Sequence, residues 1–78
     1  MTARLSASAR RVLEMLAADE PGITESLMLA HGFTARMLTG LVHAGLALRY
    51  TMPLRVGRRT IKVRYLMITA AGRRAIEG

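Results

Sequence analysis

The side chains best suited to chemistry in this chain are its arginines. Twelve residues are basic and five are acidic, and eleven of the twelve basic residues are arginine. A guanidinium group presents a planar fork of N–H donors, which pairs in a bidentate way with a phosphate or with the edge of a guanine base. The arginine content therefore points to a polyanionic partner.

The charges are distributed unevenly along the chain. Residues 1–25 hold three basic and four acidic residues, whereas residues 26–78 hold nine basic residues and a single acid, Glu77. No acid occurs between Ser26 and Ile76. The net charge of +7 therefore comes from the C-terminal two-thirds, and a polyanion is expected to bind there.

Patterns typical of catalysis or metal binding are weak by comparison. The acids are scattered, and neither His31 nor His43 has a third ligand candidate at metal spacing. Cysteine is absent, which fits a cytoplasmic protein. There is no secretory signal and no apolar run near the roughly 20 residues that span a bilayer. We therefore expect no cofactor, no metal and no membrane association, and an enzyme is the least favoured class.

The stretch from Thr34 to Leu46 is the element that best positions an arginine. One face of the predicted helix has the spacing of a core contact: Leu38, Leu41, Val42 and Gly45. The opposite face is polar or small: Arg36, Thr39, Gly40 and His43. A helix with such a face in a basic chain is a candidate for insertion into a nucleic-acid groove. Arg36 is the one side chain on that face able to make a bidentate contact to guanine.

Two residues on this polar face have alternative explanations. A glycine in the middle of a helix costs about 1 kcal/mol relative to alanine, so Gly40 needs a reason to be there. The reason is either close approach of the backbone to DNA or close packing against another helix. His43 either donates a hydrogen bond to a phosphate or is a solvated side chain.

Two further helices are predicted before this one. The first spans Leu5 to Ala18 with a serine, Ser6 or Ser8, as its N-cap, and the Asp-Glu-Pro-Gly stretch that follows ends it. The second begins after Thr24 as N-cap and ends near Gly32, which has the character of a C′ residue. Its inward contacts are expected from Leu27, Met28 and Ala30. Phe33 is expected to pack between the second and third helices.

Residues typical of β-strands dominate from Ala47 to Thr69. Apolar and polar residues alternate in two runs, which are separated by the turn Val56-Gly57-Arg58-Arg59. We therefore predict a β-hairpin, with Pro53 at an edge or a bulge because proline has no N–H. The alternation shifts near Tyr65, so the inward face is ambiguous there. Thr69 is an N-cap candidate for a short terminal helix.

Three short motifs occur in order along these elements. Leu41-Val42-His43-Ala44-Gly45-Leu46 is similar to the "LxxxGL" that ends the recognition helix of many bacterial winged helix-turn-helix regulators. Ile68-Thr69-Ala70-Ala71-Gly72-Arg73 is similar to the "LTxxGR" that follows their wing, and Ile23-Thr24 resembles the start of their second helix. The chain thus resembles MarR-like and PadR-like regulators over nearly its whole length.

The resemblance implies one α+β domain over residues 1–78: a winged helix-turn-helix with a three-helix core, a β-hairpin wing and a short C-terminal helix. It implies binding of double-stranded DNA by a small transcriptional regulator, with helix 34–46 in the major groove and wing 53–63 on the backbone. By position, the residues that would face the groove are Thr34, Ala35, Arg36, Thr39, Gly40 and His43. Those that would lie on the wing are Arg55, Arg58, Arg59 and Lys62.

Alternatives to this function stay open. The domain could be a protein-interaction module without DNA binding, because a fold does not determine a function. It could bind RNA or single strands, although only Tyr50, Tyr65 and Phe33 could stack on bases. The wing arginines could simply be solvated. A homodimer is a further expectation, formed through helix one or the C-terminus, because dimerisation adds specificity to a helix with few base-reading side chains.

Overall fold

The computed structural model of the chain describes residues 5–19 and 22–77. These residues form an α+β arrangement of four helices and a three-stranded antiparallel sheet. The helices are α1 (Ala7–Ala18), α2 (Glu25–Ala30), α3 (Ala35–His43) and α4 (Ala70–Glu77), and the strands are β1 (Ile23–Thr24), β2 (Ala47–Val56) and β3 (Arg59–Ile68). The order of helices and hairpin is the one that the sequence predicts, whereas the two-residue strand β1 is an addition. The expected stop after the first helix includes residues 20 and 21, which lie outside the described part.

Every helix begins at a hydroxyl side chain that caps it. The hydroxyl oxygen accepts a hydrogen bond from the backbone N–H three residues further on, at 3.0 Å for Ser6, 3.2 Å for Thr24, 3.1 Å for Thr34 and 3.0 Å for Thr69. Each cap satisfies a donor that has no partner inside the helix, which is typically worth about 1 kcal/mol. The predicted caps at Thr24 and Thr69 are confirmed, Ser6 rather than Ser8 caps α1, and Thr34 caps α3.

Two helices end in the same way, on a glycine with positive φ. After α2, Gly32 has φ +95° and donates its N–H to the carbonyl of Leu29, while Phe33 donates to the carbonyl of Met28. After α3, the bonds run from Gly45 (φ +77°) to residue 42 and from residue 46 to residue 41. Both are Schellman motifs, in which only glycine adopts the left-handed conformation at little cost.

The core lies between α1, α2, α3 and the base of the sheet. Its buried apolar side chains are Ala9, Val12, Leu13, Leu16, Ile23, Met28, Phe33, Leu38, Leu41, Ala47, Leu66 and Ile68. Burying a large aliphatic side chain contributes roughly 1.5–3 kcal/mol, so these residues hold the helices on the sheet. Phe33 is 7% exposed and lies in the connection between α2 and α3, as predicted.

Three predicted core contacts are wrong. Leu27 is 46% exposed and Ala30 is also exposed, so only Met28 of the three inward residues expected in α2 is buried. A helix of six residues has less than two turns and presents only a narrow face to the core. Gly45 is exposed because it lies beyond the end of α3, where it reverses the chain instead of packing.

The hairpin is long and closes with a two-residue turn. The strands β2 and β3 pair in register from Val56↔Arg59 to Ala47↔Ile68. Gly57 has φ +61° and no non-glycine residue described has positive φ, which is the pattern of a type II′ turn. The strand order is β1-β3-β2, so β2 is an edge strand and the edge position predicted for Pro53 is confirmed.

The register divides the hairpin into two faces. The inner face carries Ala47, Arg49, Thr51, Pro53, Arg55, Thr60, Lys62, Arg64, Leu66 and Ile68. Ala47, Leu66 and Ile68 are buried in the core, and the residues farther from the core are polar apart from Pro53. The outer face carries Leu48, Tyr50, Met52, Leu54, Val56, Arg59, Ile61, Val63, Tyr65 and Met67. This resolves the ambiguity at Tyr65, which lies on the outer face. Residues 51–62 are all exposed, so the distal hairpin extends away from the core.

The start of α4 is hydrogen-bonded to the residues just after α3. The Thr69 hydroxyl donates to the carbonyl of Gly45 at 2.6 Å, and the Thr69 N–H donates to the carbonyl of Leu46 at 3.1 Å. Gly72 is buried, and a Cβ there would collide with the carbonyl oxygen of Leu46 and lie 2.7 Å from Cγ1 of Ile68. The two motifs "LxxxGL" and "LTxxGR" are therefore in direct contact, and Gly72 allows that contact.

Candidate nucleic-acid interface

The polar face of α3 is open to solvent. Thr34, Ala35, Arg36, Gly40 and His43 are exposed, and Thr39 is partly buried. Leu38 and Leu41 on the opposite face are buried, so the core holds the helix with its polar face outward. The two faces predicted from the spacing are confirmed for these side chains, and Arg36 lies in the first turn of the open face.

Gly40 has no neighbour that would explain it by packing. A Cβ built on Gly40 meets nothing within 4 Å. The alternative that glycine allows another helix to pack closely is therefore wrong within the described fold. Close approach of the backbone to DNA stays a prediction.

Thr39 has a partner inside the chain. Its Oγ1 accepts a hydrogen bond from Nη2 of Arg49, at 3.0 Å. A hydroxyl has one proton to donate as well as oxygen lone pairs, so Thr39 retains a donor while it is held by Arg49. Thr39 is consequently part of the contact between α3 and β2 as well as of the open face.

Arg49 belongs to a charged cluster that the sequence does not reveal. Its Nη2 lies 3.1 Å from Oε2 of Glu25, and Nη1 of Arg64 lies 3.5 Å from Oε1 of the same carboxylate. The Glu25 side chain is only 16% exposed. Oε2 of Glu25 and Nε of Arg49 have no hydrogen-bond partner of good geometry, so the pairing of Glu25 with Arg49 is mainly electrostatic. The cluster joins the start of α2 to both strands of the hairpin.

The four basic residues expected on the wing are exposed and do not share one face. Arg55 and Lys62 lie on the inner face, Arg58 lies in the turn, and Arg59 lies on the outer face. None of the four forms an ion pair with another residue in the described part of the chain. Their charges are therefore available to an external anion, and Arg55 and Lys62 lie on the same face.

The contact of Thr39 with Arg49 brings the two predicted surfaces together. Arg49 lies on the inner face of the hairpin, and Thr39 lies beside Arg36 and Gly40 on the open face of α3. The open face of α3 and the inner face of the hairpin therefore adjoin. We call this combined surface the basic side; its exposed cations are Arg36, Arg55, Arg58, Lys62 and Arg64, of which Arg64 is paired with Glu25.

The aromatic rings are engaged within the chain. Tyr50 and Tyr65 are stacked across the hairpin, with ring centroids 5.4 Å apart and an interplanar angle of 14°. Phe33 is in the core, and the guanidinium carbon of Arg11 lies 5.8 Å from its ring centroid. The surface on which a base could stack is therefore reduced to the ring faces of Tyr50 and Tyr65 that point away from each other.

Comparison with known proteins identifies no relative: no family model, no curated protein and no solved structure matches this chain. Among the described residues, no helix is both long enough and apolar enough to cross a membrane. The same residues contain no group of three potential metal ligands. A function can therefore be argued only from the fold and from the basic side.

Proposed function

We propose that this chain binds double-stranded DNA as a small winged helix-turn-helix transcriptional regulator. In this proposal α3 enters the major groove and the hairpin is the wing that contacts the backbone. The observation that carries the proposal is the hydrogen bond between Thr39 and Arg49, because it joins the open face of α3 to the basic inner face of the hairpin. One duplex can then be met by both surfaces.

The base-reading part of the site is the first half of α3. Recognition helices contact base edges with their N-terminal residues, and Arg36 is in the first turn. Its guanidinium suits the O6 and N7 acceptors of guanine. Ala35 and Gly40 carry too little side chain to obstruct the groove, and Gly40 has open space above it. Thr34 and His43 lie at the two ends of the helix, where they can donate to phosphates.

The affinity of the site comes mainly from phosphates. Arg55, Arg58 and Lys62 have no intramolecular counter-charge among the described residues. Arg59 points from the outer face and is the weakest of the four predicted wing contacts. With one strong base-reading side chain, a single copy is expected to discriminate only modestly between sequences.

The test is a titration of a labelled duplex with the whole chain at several salt concentrations. With about five phosphates neutralised, log K should fall against log salt with a slope near −4 to −5. Arg58→Ala should weaken binding to all duplexes alike and reduce the slope by about 1. Arg74→Ala removes the same charge from the last turn of α4 and is the matched control, with an unchanged slope. Absence of binding at low salt, or binding without salt dependence, would overturn the proposal.

A protein-interaction module is the second candidate, and one observation favours it. The outer face of the hairpin exposes apolar side chains that DNA binding does not use. Chemical-shift mapping with a duplex separates the two candidates: DNA binding predicts changes along α3 and the inner face, with few on the outer face. A single-stranded oligonucleotide of the same sequence is the competitor that tests the RNA and single-strand alternative.

A further inference from the structure

The outer face of the hairpin is almost entirely apolar, and none of the described residues covers its distal part. Nine of its ten residues are aliphatic, aromatic or methionine, and the exception is Arg59 beside the turn. Five of its large side chains are 44–54% exposed: Leu48, Met52, Leu54, Val56 and Ile61. A row of large apolar side chains on one side of a projecting element is unusual for a monomer.

The distal hairpin also has little support of its own. The strand β1 pairs with β3 only at Leu66 and Tyr65, so residues 59–64 have no third strand beside them. A two-stranded ribbon in water is marginally stable unless its apolar face packs against something. Covering the outer face would therefore stabilise the hairpin as well as remove apolar surface from water.

The free edge of β2 is unfavourable for the addition of a strand from another chain, so a partner would have to pack against the outer face of the hairpin. In a two-residue hairpin Val56 and Arg59 form the hydrogen-bonded closing pair, and hydrogen-bonded and non-hydrogen-bonded pairs then alternate. Pro53 falls at a non-hydrogen-bonded position, so its nitrogen points to the free edge of β2. Because proline has no N–H to donate, it interrupts the edge that another strand would join.

The distribution of charge indicates which molecule packs against the outer face of the hairpin. Two copies with a net charge of +7 repel each other, but the cations of the distal hairpin, apart from Arg59, lie on the inner face or in the turn. Packed sheets are about 10 Å apart, so outer faces in contact turn the inner faces away from each other. An antiparallel arrangement puts the two Arg59 side chains at opposite ends. An acidic protein or an anionic lipid surface would instead be drawn to the inner face.

The available area fits a reversible dimer. The five half-exposed residues, together with the partly exposed Tyr50, Val63, Tyr65 and Met67, leave on the order of 500 Å² in water per copy. If all of it is buried, two copies come to the ~1,000 Å² that a specific but weak interface needs. We propose that the outer face of the hairpin is a homodimer interface, in which two copies stack their hairpins face to face. The proposal does not depend on DNA binding and leaves the basic side of each copy open.

Sedimentation analysis of the whole chain without DNA, from roughly 1 to 200 µM, tests the proposal. The wild type should pass from monomer to dimer over this range. Met52→Lys should raise the dissociation constant at least tenfold, because it buries a charge in the interface. Thr51→Lys adds the same charge to the neighbouring inner-face position and should leave the constant unchanged. Circular dichroism of both variants shows whether the fold is retained. If Met52→Lys does not fold, Ile61→Lys takes its place, with Thr60→Lys on the inner face as the control that adds the same charge.

Three results would overturn the proposal. A wild-type chain that stays monomeric over the whole range shows that the outer face does not bind a second copy. A dimer that tolerates both Met52→Lys and Ile61→Lys shows that copies associate through another surface. A monomer that binds vesicles of phosphatidylcholine and phosphatidylglycerol through Met52 assigns the outer face to a lipid surface instead.

Discussion

Gly72 and Gly40 are both helical glycines near α3, and their surroundings are opposite. Gly72 in α4 is pressed against the carbonyl of Leu46, just beyond the end of α3, and has no room for a Cβ. Gly40 in the middle of α3 has open space where its Cβ would be. The fold therefore requires the first glycine and does not require the second. The region around Gly72 is built for stability, and the region around Gly40 is left open to the exterior.

The largest effect is expected from Gly72→Ala. The new methyl group would meet a backbone oxygen, which cannot rotate away as a side chain can, so α4 must shift. Overpacking of this kind costs about 3 kcal/mol, which lowers the melting temperature of a domain of this size by more than about 10 °C. Denaturant unfolding measures the loss. A stability within about 0.5 kcal/mol of the wild type would show that α4 is not tightly packed on Leu46.

Arg36→Ala should leave the fold intact and alter DNA recognition. The side chain is exposed, so the free energy of unfolding should change by less than about 0.5 kcal/mol. Discrimination between a duplex selected from a randomised pool and a scrambled duplex should fall by about 1–3 kcal/mol. Arg74→Ala, tested on the same two duplexes, is the control. Unchanged discrimination in Arg36→Ala would mean that α3 does not read bases through this residue.

Glu25→Gln tests whether the charged cluster holds α3 against the hairpin. The neutral amide leaves Arg49 partly buried without its counter-charge, and a loss of about 1 kcal/mol in the free energy of unfolding is expected. Arg64→Ala is the control, because Arg64 is 64% exposed and its ion pair should contribute less than about 0.5 kcal/mol. Equal losses in both variants would contradict a special role for the contact with Arg49.

Gly40→Ala is expected to change stability in the opposite direction from the other variants. Alanine is favoured over glycine within a helix by about 1 kcal/mol, and there is room for its methyl group, so the variant should be more stable than the wild type. Its affinity for duplex DNA should nevertheless fall several-fold, because the methyl group keeps the backbone from approaching the groove. Higher stability with unchanged affinity would remove the proposed reason for this glycine.

Much of the fold can be predicted from local patterns. The caps at Thr24, Thr34 and Thr69 are local because each hydroxyl bonds to an N–H only three residues away. The end of α2 at Gly32 can also be predicted locally, because the two Schellman hydrogen bonds there join residues no more than five positions apart. Alternation and a glycine-containing turn predict the hairpin, since strand pairing across a short turn needs no distant partner.

Most of what local patterns do not predict depends on residues far apart in the sequence, and one part depends on the length of a helix. Glu25, Thr39, Arg49 and Arg64 form one network, and no spacing rule connects them. Leu27 is an apolar residue at a position that the pattern assigns to the core, yet α2 is too short to bury it. The strand β1 has two residues and is defined only by its pairing with β3.

The order of the elements, the two faces of α3 and the acid-free span around them can be read from residue type and from spacing over a few positions. The packed fold alone shows that Gly40 is open while Gly72 is enclosed, since the same residue type gives the same local signal in both helices. It also decided that the inner face of the hairpin adjoins α3 and that the apolar outer face points away from the core. Those relations depend on how the sheet packs against the helices, which no local pattern contains.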